Sequence, residues 1–187
     1  MSENYSIDCS FEKLHNLAKG EYENCTFNSC DFAEQDLSGF KFIACTFNAC
    51  NFSLAKLNHT MFQDVNFTDC KMLGLHFETC NEFGLSFSFE NCQLNHSTFY
   101  QTKIKNTIFR NCQLEETDFT EADLTHSVYD QCNLLHAVFY STVLEKCDLR
   151  SAFHYAIDPE LNKITKAKFS ASGLAGLLNK YTIDIEY

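Results

Sequence analysis

The side chains that could do chemistry in this chain are its eleven cysteines, seven histidines and 25 acids. Thiolates hold zinc or exchange disulfides at spacings such as C-x2-C. Here Cys25 and Cys30, like Cys45 and Cys50, stand five apart, while Cys30/Cys50/Cys70 and Cys92/Cys112/Cys132 stand twenty apart. No zinc or redox motif results. The histidines (His15, His59, His76, His96, His126, His136 and His154) form neither H-x3-H nor H-E-x2-H. A nucleophile elbow, a phosphate loop, a dinucleotide fingerprint and a carboxylate pair with its own base are missing too. The expectation is a protein without enzymatic activity, metal or cofactor.

The acids say more. With 14 basic residues against them the net charge is −11, which repels nucleic acid and anionic membranes and attracts basic protein surfaces. No nucleic-acid or membrane partner is expected. The acids also cluster: residues 111–130 carry Glu115, Glu116, Asp118, Glu121, Asp123 and Asp130, and residues 20–40 carry Glu21, Glu23, Asp31, Glu34 and Asp36, in both cases without Lys or Arg. One reading is a solubilising surface. The other makes Glu115, Glu116, Asp118, Glu121, Asp123, Asp130, Asp31, Glu34 and Asp36 a binding face for a basic partner. The first residues, Met1 to Ser6, have neither the basic nor the apolar part of a signal peptide. No run approaches the roughly 18 apolar residues of a membrane span, so the expected location is the cytoplasm.

What must position these side chains is a period of five. Stepping by five from Leu17 gives Tyr22, Phe27, Phe32, Leu37, Phe42, Phe47, Phe52, Leu57, Phe62, Phe67, Met72 and Phe77; a second register runs from Phe89 through Leu94, Phe99, Ile104, Phe109, Leu114, Phe119, Leu124, Tyr129, Leu134, Phe139, Leu144 and Leu149. Helix and strand periods cannot keep every fifth residue on one face. The chain must turn a corner every five residues. Two positions before each centre lies a smaller inward class that takes nine of the eleven cysteines, so they read as free thiols packed in a core. Cys-Thr-Phe-Asn-Ser-Cys-Asp-Phe at 25–32 recurs as Cys-Thr-Phe-Asn-Ala-Cys-Asn-Phe at 45–52. The coil therefore has four sides, and like residues stack in ladders. Gln35 and Phe40 strain the small slot, the first by polarity and the second by size, though Gly20 and Thr60 flank Phe40.

Between the registers, Cys80 to Ser86 carries two extra residues and Gly84, which reads as a seam. The tail from Ser170 to Tyr181 has a Ser cap and apolar residues at 174, 177, 178 and 181, a short helix with one apolar face. Thr182 to Tyr187 alternates like a strand. The expected division is an N-terminal cap (1–14), a first repeat tract (15–79), the seam (80–88), a second tract (89–150) and a C-terminal capping or dimerisation tail (151–187).

The repeat, seen most purely in Glu121-Ala122-Asp123-Leu124-Thr125, resembles the pentapeptide-repeat superfamily over residues 15–149. That resemblance implies an all-β fold, a right-handed quadrilateral β-helix, closed here by a short C-terminal helix and strand. Cys70-Lys71-Met72-Leu73-Gly74, Thr120-Glu121-Ala122-Asp123 and the tail from Leu177 to Glu186 are similar to the Qnr-like and albicidin-resistance group. Members of that group mimic DNA, bind DNA gyrase and topoisomerase IV, and protect them from quinolones or peptide toxins. They dimerise through a similar tail, which implies a homodimer through Leu174, Leu177, Leu178, Tyr181, Ile183 and Ile185. Many Qnr proteins carry protruding loops linked to quinolone protection, whereas this chain has only the two-residue excess. The alternative is a structural or scaffolding solenoid with an unrelated protein partner.

Overall fold

The computed structural model describes residues 4–181 and 183–184. The chain winds into a right-handed, four-sided parallel β-solenoid of about six coils. Each pentapeptide forms one side, with its centre and the small residue two before it turned inward. The residue two after the centre turns the corner in a left-handed backbone conformation, as at Glu34 (φ 59°), Leu54 (φ 58°), His96 (φ 60°) and Glu116 (φ 54°). Where the corner closes on itself, as in Gln35 N–H to Phe32 O (3.2 Å) and Ala55 N–H to Phe52 O (2.9 Å), that positive φ stands third in the turn, as type II geometry requires. The strain of a left-handed non-glycine residue, about 1 kcal/mol, is offset by bonds between coils, such as Leu54 N–H to Leu73 O at 2.9 Å.

Eleven short strands are present among the described residues: β1 (Asn4–Ile7), β2 (Ser10–Glu12), β3 (Gly20–Glu23), β4 (Thr26–Asn28), β5 (Lys41–Ile43), β6 (Thr46–Asn48), β7 (Met61–Gln63), β8 (Val65–Thr68), β9 (Phe87–Glu90), β10 (Ile108–Arg110) and β11 (Val128–Asp130). The first face is the sheet β1-β3-β5-β7, and the second is β2-β4-β6-β8-β9-β10-β11. The third and fourth faces are held by single parallel bridges, such as Asn51↔Lys71 and Thr98↔Asp118.

The ladder reaches beyond the five-residue register at both ends. Asn4 pairs with Gly20 and Ser10 with Thr26, an offset of sixteen, and bridges join Val143 to Lys163 and Asp148 to Lys168. At the seam Val65 pairs with Phe87, so the offset grows to 22, with Gly84 at φ 71°.

Stacked aromatic rings fill the interior. On the second face Phe11, Phe27, Phe47, Phe67, Phe89, Phe109 and Tyr129 form one unbroken pile with centroids 4.6–5.3 Å apart. Burying such rings is the main stabilising term. Phe40 fits, 4 % exposed between the rings of Tyr22 and Phe42. Gln35 satisfies its amide on the carbonyls of Asp31 (2.9 Å) and His15.

Candidate functional site

Asp31, Asp36, Asp118 and Asp123 each stand just before a centre, where a carboxylate can reach the N–H two residues on. They bond Ala33 (3.2 Å), Ser38 (2.9 Å), Thr120 (2.8 Å) and Thr125 (3.1 Å). The Ser38 side chain and N–H hold the Asp36 carboxyl below the usual range. Asn51 and Asn133 make the same bond to Ser53 and Leu135, so this position needs an oxygen acceptor rather than a charge. Glu34, Glu115, Glu116 and Glu121 have no such duty in their own turns. Glu121 accepts from the Gln101 amide at 2.8 Å, and Glu116 faces His96 Nδ1 at 3.3 Å.

Twenty residues encircle the rod, so the nine acids do not share one surface. Asp123 and Asp130 lie on the first and second faces, where the preceding coil supplies Lys105 (3.1 Å) and Arg110 (3.4 Å) as counter-charges. The basic-free stretch in the sequence is thus not basic-free in space. An offset of twenty would have revealed the Arg110–Asp130 pair.

Of the other acids, Asp31, Glu34, Asp36, Glu115, Glu116 and Asp118 line the edge between the third and fourth faces, while Glu121 (φ 57°) stands on the next corner, between the fourth and first faces. Bonds from Glu34 N–H to Ser53 O, Leu54 to Leu73, Gly74 to Asn95 and His96 to Glu115, all 2.9–3.0 Å, stack Glu34 and Glu116 on one corner. Four coils separate them, about 19 Å at one strand spacing per coil. Asp36 and Asp118 share the adjoining column of the fourth face, and Asp31 lies on the third face. From Cys92 to Ser141 these two faces carry Glu115, Glu116, Asp118 and Glu121 and no Lys or Arg. Lower on the same faces Lys56 and Lys71 intervene. In contrast, Lys103, Lys105, Arg110, Lys146, Arg150, Lys163, Lys166 and Lys168 all line the first two faces and their corners.

The thiols form the inner wall. Cys30, Cys50, Cys70, Cys92, Cys112 and Cys132 stack in one column, all free and no more than 1 % exposed. Their Sγ–H groups donate to backbone carbonyls, as Cys50 does to Phe27 at 3.4 Å. Among the described residues no group of three or more His, Cys, Asp or Glu is arranged to hold a metal. Likewise no helix is long and apolar enough to cross a membrane.

At the C-terminal end Ser170 Oγ accepts the Gly173 N–H (3.1 Å) and starts a 3-10 helix over Ala171–Leu177, followed by another over Asn179–Tyr181. Gly173 and Gly176 press so closely on Tyr155 that a Cβ would overlap it. Leu177 packs against the core. Leu174, Leu178 and Tyr181 remain 49, 36 and 48 % exposed, and with Leu177 and Pro159 they line a groove of about 370 Å³. Lys180 bridges Asp158 (2.9 Å) and Glu160 (2.7 Å) at its rim. Ile183 is exposed and outside any strand, whereas Ile185 and most of the expected terminal strand lie outside the described residues.

Fold and surface together define a parallel β-solenoid that presents one acidic edge. The family model described as pentapeptide repeat region matches residues 21–88 and 85–152, and the chain belongs to that family. A trypsin-treated variant of QnrB1, described as a plasmid-mediated fluoroquinolone resistance protein, superposes with a TM-score of 0.64 at 16 % identity, over 98 % of this chain and 100 % of that one. Full-length QnrB1 gives 0.54 at 18 % identity, over 96 % and 100 %. At these identities the likeness is one of fold. No curated protein matches the chain.

Proposed function

We propose that this chain is a non-enzymatic binding protein whose acidic edge occupies the basic DNA-binding surface of DNA gyrase or topoisomerase IV. In doing so it modulates the enzyme or protects it from a poison. The observation that supports this reading is the segregation of charge: Glu115, Glu116, Asp118 and Glu121 stand on two faces free of Lys and Arg through three coils, with Glu34 and Asp36 farther along the same edge. Carboxylates so placed offer a basic groove the field that duplex phosphates offer, and counter-ion release favours the complex. The fold it shares with QnrB1 supports the same reading. The protein acts as a homodimer joined through the groove of Leu174, Leu177, Leu178 and Tyr181, in the cytoplasm.

The test is inhibition of gyrase supercoiling by the purified protein. Inhibition weakens as salt rises, because exposed charges are screened. The combined variant Glu115→Gln, Glu116→Gln, Asp118→Asn, Glu121→Gln keeps its circular dichroism, since Asn serves the turn as well as Asp, and loses most of its inhibition. A variant that inhibits as well as the parent refutes mimicry through this edge. Exposed Tyr100, Val138 and Tyr140 on the fourth face (39, 47 and 52 %) favour the second reading, a scaffolding solenoid for another protein, which takes over if the parent never affects gyrase.

A further inference from the structure

Two tyrosines on the fourth face take no part in the core. The bonds from Gln101 N–H to Thr120 O (2.9 Å) and from Glu121 N–H to Tyr140 O (2.8 Å) set three coils in register, and the bridges Thr98↔Asp118 and Asp118↔Val138 fix the same offset of twenty. Tyr100, Thr120 and Tyr140 therefore form one outer column. Each follows a buried centre, Phe99, Phe119 or Phe139, and turns the other way, which leaves the two rings 39 and 52 % exposed.

Tyr100 and Tyr140 are two coils apart, about 10 Å at one strand spacing per coil. Thr120 between them is too short to fill the interval, and neither ring packs on another aromatic ring among the described residues. A flat group touching both rings needs them about 7–8 Å apart, one carbon contact distance on each side. A slight lean of either side chain supplies that. The result is an open slot with two aromatic walls and a small floor.

The slot is also flanked by charge. Asp118 stands two residues before Thr120 and Glu121 directly after it. Asp118 spends Oδ1 on the Thr120 N–H (2.8 Å) and Glu121 spends Oε2 on the Gln101 amide (2.8 Å), which leaves the other oxygen of each free among the described residues. Anions are repelled from such a place, and an aliphatic side chain would desolvate the carboxylates without pairing them. A flat cation satisfies both walls and flanks.

We propose that this slot takes an arginine side chain of a basic protein partner, its guanidinium stacked between Tyr100 and Tyr140 and its N–H groups on Asp118 and Glu121. Arginine is selected over lysine because only the planar guanidinium stacks on two ring faces while its edge donates to carboxylates. The inference rests on the acidic side of the rod meeting a basic protein surface, as proposed above, and it adds which side chain of that surface is read.

The experiment is NMR titration of the full chain with the blocked tripeptides Gly-Arg-Gly and Gly-Lys-Gly. The arginine peptide shifts the ring signals of Tyr100 and Tyr140 and binds about fivefold more tightly than the lysine peptide. Tyr140→Ala abolishes that preference, whereas Tyr140→Phe, which keeps the ring face, retains it. Thr120→Leu plugs the floor and abolishes binding; Leu73 and Leu135, which follow centres in the same way, show that the coil accepts leucine there. Unchanged circular dichroism shows that each variant is folded. Equal binding of the two peptides, ring signals that stay in place at millimolar arginine peptide, or an unaltered preference in Tyr140→Ala or Thr120→Leu overturns the proposal. The probe is a peptide, so these outcomes judge the slot alone, and a failure to inhibit supercoiling judges the topoisomerase reading alone.

Discussion

At the scale of single residues, the inward column rewards an apolar ring and penalises anything that needs a partner. Tyr129 ends the second-face pile that Phe11 begins, its ring 4.9 Å from that of Phe109. Its hydroxyl is buried without a hydrogen bond, and burial raises its pKa well above the ordinary value. Tyr129→Phe keeps the stack and removes the orphan. It should stabilise the protein by about 1 kcal/mol, the scale of an unsatisfied buried hydroxyl. Denaturant unfolding checks this, and a loss of stability would show that the hydroxyl has a partner. The sequence revealed the column but not this detail, because a five-residue period identifies which residues face inward and is silent on what their polar atoms meet. The same limit applies to the acids. Asp118 and Glu116 look alike in the sequence, yet one is engaged in its own turn and the other faces outward across to His96.

At the scale of elements, the ladder of thiols links stability to pH. Burial pushes Cys45 up to about 11 and Cys147 to about 12, and hydrogen bonds from the next rung push Cys92 and Cys112 up to about 12. These groups stay protonated in the folded coil, whereas unfolded thiols ionise near 9.0. Their contribution is therefore complete below pH 9 and is lost as pH rises through about 11 to 12. Thermal melting should fall over that window. Cys112→Ala, with a side chain that Ala55 and Ala122 show to fit the slot, should fall less. Equal alkaline losses in the two proteins would mean that the thiols stay inert. Sequence identified this element well, since the five-residue spacing alone placed nine cysteines inside. It missed the first coil because that coil is sixteen residues long, which a comparison at twenty cannot detect. It also located the seam without showing that the first-face sheet ends at β7 below it, because periodicity counts residues and not hydrogen bonds.

At the scale of the whole molecule, the tail covers the end of the core, and the dimer proposed above would place a second role on it that one deletion would confuse with the first. Leu177, Gly173 and Gly176 cover Tyr155 and the end of the core, so cutting the tail away exposes apolar surface whatever the oligomeric state. Leu174→Glu with Leu178→Glu leaves that cover in place and charges only the outer groove. Sedimentation should find a dimer for the parent and a monomer for this variant, with unchanged circular dichroism. A parent that sediments as a monomer, or a variant that stays dimeric, rejects the tail as the seat of dimerisation. The end of the first-face sheet at β7 has a mechanical consequence as well. Under tension applied to its two ends, a rod tied by repeated rungs yields where one face lacks its bonds. Here that place is the seam above β7, so stretching a single molecule should first part it into two blocks at mid-length, each still wound, before either block unravels.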